Sequence, residues 1–110
     1  MEIDERRTAT AAVLAPRGKF NLVTGPSVKA RIDALVQAGL ARIVVDLSGV
    51  DFIDSSGLGA LIGGLKSARL AGGDVRIAGA GEQVATVLRL TNLDRILVPH
   101  ATADEALNGW

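Results

Sequence analysis

Cysteine and tyrosine are absent from this 110-residue chain, and its aromatics are one tryptophan and two phenylalanines. Without thiols there is no disulfide, no thiolate metal site and no cysteine nucleophile, which fits a reducing compartment. With so few rings, a core must be built from Ala, Val, Leu and Ile. An excess of charge is missing too: 12 Lys and Arg balance 12 Asp and Glu. A neutral chain has no generic electrostatic footprint for nucleic acid or an acidic membrane surface, so neither contact is expected. Long apolar runs are also lacking. The longest, near Leu58, ends at Lys66, short of the ~20 residues a membrane span needs. The opening "MEIDERRT" has no apolar region of the kind a signal peptide carries. The expectation is one soluble cytoplasmic domain over residues 1–110, monomeric when free, with a core large enough to need no staples.

Along the chain, Ile3–Arg7 and Thr10–Ala15 are weak strand candidates, with no favoured hairpin turn between them. Gly25-Pro26 opens a helix through Val28, Ile32, Leu35 and Val36, stopped at Gly39. "RIVVDL", Arg42–Leu47, is a continuous apolar run of the kind buried on both faces of a sheet. The short apolar pair Phe52-Ile53 precedes a helix carrying Leu58, Leu61, Ile62 and Leu65, which runs to about Ala71 and ends at Gly72-Gly73. "DVRIAG", Asp74–Gly79, alternates as a strand. Glu82–Thr91 reads as a helix, Ile96–Val98 as an edge strand and Ala103–Leu107 as a last short helix. The order β-β-α-β-α-β-α-β-α gives an α/β class (α+β by some definitions): a mixed four- to five-stranded sheet covered by about four helices.

The segment "DLSGVDFIDSSGLGALIGGL", Asp46–Leu65, is built against its own stability. Asp54, Ser55 and Ser56 are all good N-cap residues, yet a helix needs only one. Gly57, Gly59, Gly63 and Gly64 each cost up to ~1 kcal/mol against alanine inside a helix. Ser56, Ala60, Gly63, Gly64 and Ser67 form a smooth small-residue strip, against which either the protein's own sheet or a docking partner can pack closely. No basic residue lies between Arg42 and Lys66, whereas Asp46, Asp51 and Asp54 are acidic. A phosphate on one of the serines would add ~1.5–2 negative charges there. The helix N-terminus tolerates such charge, and a tightly packed partner does not.

"VDFIDSSGLGALIGGLKSARLAGGDVRIAG" strongly resembles the bacterial anti-sigma factor antagonists of the STAS domain family: an apolar strand, Asp-Ser-Ser/Thr-Gly-Leu-Gly opening a helix, then a Gly-Gly turn into the next strand. The resemblance covers most of the chain. It implies that Ser55, directly after Asp54, is the phosphoacceptor, which spacing alone does not choose over Ser56. It also implies an ATP-dependent anti-sigma factor serine kinase as binding partner and modifying enzyme, and a PP2C-type phosphatase that reverses the mark. Unmodified antagonist would hold the anti-sigma factor and free a sigma factor for transcription. Asp54, Ser56, Gly57, Leu58, Gly59 and Gly63 would form the partner surface with the turn Gly18, Lys19, Phe20 and Asn21. That turn departs from the family, whose members commonly carry Gly-Glu-Leu-Asp there; Lys19 and Asn21 replace two acidic residues. Phe20 is open between core plug and exposed contact.

A permanent, non-switching role, as a subunit of a lipid-transport ABC complex or of a stress-sensing scaffold, is the alternative within the family. A small nucleotide-binding domain fits less well, because the third glycine of a dinucleotide fingerprint would fall at Ile62. A receiver domain needs acidic companions near Val13-Leu14, where Ala15-Pro16 stands. His100, the only histidine, reads as a solvated surface group, and Trp110 as a frayed end. No catalytic residue, metal ligand or cofactor is expected; the protein is read as a binding protein and not an enzyme.

Overall fold

The computed structural model describes residues 1–110. Strands β1 (Glu2–Arg7) and β2 (Ala12–Phe20) make an antiparallel hairpin with Arg7 opposite Ala12. A threonine closes the turn that composition alone left undefined. Thr8 Oγ1 accepts from the Ala11 N–H at 2.9 Å, and the Thr8 N–H donates to the Ala11 carbonyl at 2.8 Å. β1 is the outer edge and is protected by charge, since five of the six residues in "EIDERR" are ionic. Glu5 accepts from Arg7 at 2.9 Å and Arg31 at 3.1 Å. Those two guanidiniums, Arg7 foremost, hold its carboxyl below the ordinary 4.5.

Helix α1 (Gly25–Gln37) leads to β3 (Arg42–Asp46), and a short turn leads on to β4 (Val50–Ile53). Helix α2 (Ser55–Leu70) precedes β5 (Asp74–Ala78), and α3 (Glu82–Leu90) precedes a 3-10 turn at Leu93–Arg95, β6 (Pro99–His100) and α4 (Ala103–Leu107). The sheet runs β1-β2-β3-β5-β6, all parallel except β1. β4 pairs, also parallel, with the far half of β2. The α/β class and four helices stand, with six strands rather than four or five.

Three boundaries differ from expectation. β2 runs on through Pro16 to Phe20, because β3 pairs only with Ala12–Leu14 and β4 takes over at Gly18. Pro16 falls in the interval where no parallel neighbour requires its missing N–H. β4 is a true strand and not an isolated apolar pair. Ile96–Val98 is not a strand; the Ile96 and Leu97 N–H groups both donate to the Leu93 carbonyl, and pairing starts at Pro99.

Alternation along the inner strands makes two cores. Ala12, Leu14, Ile43, Val45, Val75 and Ile77 face α1, α2 and α3 in the main core. Val13, Val44 and Ala78 face the other way, where Ala106 of α4 covers them. Arg76 holds α4 in place. Its Nη1 donates to the carbonyls of Ala106 at 2.8 Å and Asn108 at 3.2 Å, and its guanidinium lies 4.1 Å over the Trp110 ring. Trp110 is therefore not a loose end but half-buried cover for that second face.

Candidate functional site

The parallel strands β2 and β4 end at the same level, with Phe20 beside Ile53, so the loop after one lies against the helix that follows the other. The Asp54 N–H reaches the Phe20 carbonyl at 3.3 Å. Asp54 is extended (φ −115°, ψ −174°) and its Oδ1 accepts from the Gly57 N–H at 2.9 Å, an N-cap on α2. That cap leaves both serines available for other roles. Ser55, the first helical residue, is exposed. The N–H groups of Ser55 and Ser56 have no acceptor within the helix, as at every helix start. Replacing Asp54 by Ala is expected to lower stability by about 1 kcal/mol with the fold retained, measured as the shift in urea midpoint.

Ser56 is half-buried and lines an open, mainly apolar groove of about 290 Å³ with Leu22, Pro26, Lys29, Gly59 and Ala60. The loop on its rim braces itself. Asn21 Oδ1 accepts from the N–H groups of Val23 at 3.0 Å and Thr24 at 3.2 Å. Thr24 Oγ1 donates to the Lys19 carbonyl at 2.6 Å and accepts from the Asn21 N–H at 2.9 Å. This bracket holds Leu22 and Val23 in solvent, 72% and 81% exposed. They are the pair that sequence reading missed. Lying between a strand end and Gly25-Pro26, they belong to neither the alternation of β2 nor the helical repeat of α1. Lys19 is exposed and in no ion pair. Gly18 has φ +96° at the point where the β2–β4 register shifts, which is why a glycine stands there.

Several residues expected on the partner surface lie inside. Phe20 is wholly buried, and the main core takes its ring as a plug. Leu58 is 5% exposed, and Gly57 is buried under Phe20. The small-residue strip is largely the seat of α1. A side chain at Gly64 would collide with Ile32, and one at Gly63 would come 2.9 Å from Lys29 Cε. Gly25 of α1 in turn rests close to Ala60. Glycine here lets two helices approach closely. What remains open is Ser55, Gly59 and Asp54 in part, with Ser56 and Ala60 in the groove. Gly59 has open space above it. Beside the groove, Lys29 pairs with Asp33 at 2.6 Å, and its ammonium holds the Asp33 carboxyl below the ordinary 3.8.

On the far side of β4, Gln83 of α3 bonds Ile53 twice: Oε1 accepts from the Ile53 N–H at 2.9 Å, and Nε2 donates to the Ile53 carbonyl at 3.0 Å. The dinucleotide alternative loses its geometry as well. The Gly57 N–H is already taken by Asp54 Oδ1, and Phe20 covers that glycine, so the first glycine of Gly57-x-Gly59 offers no open backbone to a pyrophosphate.

A sequence model described as the STAS domain matches residues 2–106. The chain belongs to the STAS domain family. Among STAS relatives, a Thermotoga neapolitana protein named as a candidate anti-sigma factor antagonist is 35% identical over 96 residues, covering 86% of this chain and 85% of the relative. The anti-sigma-B factor antagonist of Listeria monocytogenes is 29% identical over 98 residues, covering 88% and 84%. A crystal structure of a candidate anti-sigma factor antagonist from Thermotoga maritima superposes with a TM-score of 0.88 at 32% identity, covering 96% of this chain and 91% of that one. No helix of this STAS protein is long and apolar enough to cross a membrane.

Proposed function

We propose that this protein is an anti-sigma factor antagonist, a cytoplasmic binding protein switched by phosphorylation of Ser55. The observation that carries the proposal is the division of labour at the start of α2. Asp54 performs the capping, so Ser55 is exposed and free at a helix N-terminus, and the next residue, Ser56, lies in the groove that the exposed Leu22 lines. Unmodified, this surface binds an ATP-dependent anti-sigma factor kinase and frees the sigma factor. In the transfer, Ser55 Oγ bonds to the γ-phosphorus of ATP while the bond to the departing ADP oxygen breaks. The hydroxyl proton leaves to a base of the kinase. The phosphate then places about two negative charges where the partner had packed. The helix N-terminus accommodates that charge, so the fold persists while the interface fails. A PP2C-type phosphatase restores the binding form. The surviving contact set is Ser55, Ser56, Gly59, Ala60, Lys19, Leu22 and Val23, with Asn21 and Gly18 shaping the loop.

The test uses the purified anti-sigma kinases encoded in the same genome, each with ATP and the full chain. One of them is expected to label wild type and not Ser55→Ala. Ser55→Asp should bind that kinase at least tenfold more weakly, about 1.4 kcal/mol, with its thermal midpoint unchanged. Labelling at another residue, or of none, overturns the proposal. Equal affinity of wild type and Ser55→Asp would favour a permanent docking subunit on the same surface.

A further inference from the structure

We infer that Gln83 is a positioning residue for phosphoryl transfer to Ser55; the inference rests on the Ser55 reading above. β4 has a single strand neighbour, β2, and its other edge would be left with open backbone groups. Helix α3 packs beside that edge, and the Gln83 carboxamide stands in for the missing strand. A carboxamide carries the same donor and acceptor as a peptide unit. It can therefore satisfy both groups of Ile53 at once, where a carboxylate, which only accepts, or an ammonium, which only donates, would complete one half of the pair.

The place of this clamp gives it its consequence. Ile53, Asp54 and Ser55 are consecutive. The chain changes there from strand to helix, extended at Asp54 and helical from Ser55. From the β2 side the junction is held by the 3.3 Å bond from the Asp54 N–H to the Phe20 carbonyl. From the α3 side it is held by the two shorter bonds to Gln83. The direction in which Ser55 Oγ leaves the surface is set by this junction. In-line attack on a phosphorus atom is sensitive to such direction, and a displacement of about 1 Å can cost about 100-fold in rate. Both side-chain hydrogen bonds of Gln83 go to the Ile53 backbone and none to Ser55, so it acts through the backbone it holds.

The experiment measures kcat and KM for the full chain as substrate of the genome-encoded anti-sigma kinase that labels wild type, at saturating ATP. Gln83→Met keeps length and loses both bonds; it is expected to lower kcat about tenfold with KM within about twofold. Gln83→Glu is near-isosteric and keeps the acceptor toward the Ile53 N–H, but it sets a carboxylate oxygen against the Ile53 carbonyl in place of the donor, so its kcat should also fall below wild type. A merely structural role would lower the thermal midpoint and leave kcat of the folded molecules untouched. Wild-type kcat in Gln83→Met overturns the inference; should that variant fail to fold, wild-type kcat in Gln83→Glu does so. If wild type itself is labelled by no kinase, the Ser55 reading fails and this inference with it. If wild type is labelled and both variants match it, the inference alone fails.

Discussion

Gly57→Ala is expected to destabilise the domain by about 3 kcal/mol, and Gly59→Ala, two residues on, to stabilise it by a fraction of 1 kcal/mol. Both replace a glycine within the first five residues of α2, where alanine raises helix propensity by at most ~1 kcal/mol. Surroundings decide the sign. A Cβ on Gly57 would lie 2.6 Å from Phe20 Cδ1 and 2.9 Å from Ile53 Cγ1, and closer still to the Phe20 carbonyl oxygen. That oxygen belongs to β2 and also accepts the Asp54 N–H, so relief requires moving strand, cap and helix together. Over-packing against backbone outweighs the gain in propensity. A Cβ on Gly59 meets nothing within 4 Å. Urea unfolding followed by far-ultraviolet circular dichroism measures both. A Gly57→Ala variant as stable as wild type would show that α2 does not sit this tightly on β2.

Phe20→Ala should cost a further large share of the stability, about 3–5 kcal/mol, against the 5–15 typical of a domain. The ring is fully buried in a core otherwise made of aliphatic side chains, where few neighbours can expand to fill the space. It also packs against Gly57 near the N-terminus of α2, so the cavity opens beneath that glycine. Phe20→Leu keeps most of the volume and should cost less than half as much. A loss under 1 kcal/mol for Phe20→Ala, with partner binding abolished, would return Phe20 to the partner surface.

Those two residues also mark how far the sequence could be read. The periodic elements were legible: Val28, Ile32 and Leu35 of α1, and Leu58, Leu61 and Leu65 of α2, all lie in the main core as their spacing requires. The doubly buried β3 was equally plain, because Ile43, Val44 and Val45 are apolar on both faces. Strand ends were not. Pro16 reads as a terminator, and only the exchange of β3 for β4 beside β2 makes room for it. The motif "DSSG" located the candidate site, yet not which of its atoms face outward. Glycines that look like a partner's landing strip have the same composition whether a kinase or α1 covers them, and only the packing of Ile32 and Lys29 onto Gly64 and Gly63 separates the cases. Gln83 carried no local signal, since its target lies 30 residues away.

The strand order carries a consequence for synthesis. β1, β2, β3, β5 and β6 lie side by side in the order in which a ribosome would make them, and β4 joins a stretch of β2 that β3 leaves free. Every strand after the first finds its neighbour already formed, and none must be threaded between two that have paired. The nascent chain thus needs no unmade partner to hold what it has built, which limits the time that sticky edges stand open. Growth ends abruptly. β6 pairs only with Ile77 and Ala78, and on the rest of β5 the Asp74 carboxylate accepts from the Val75 N–H at 2.9 Å, a chain terminator for the sheet written in one side chain.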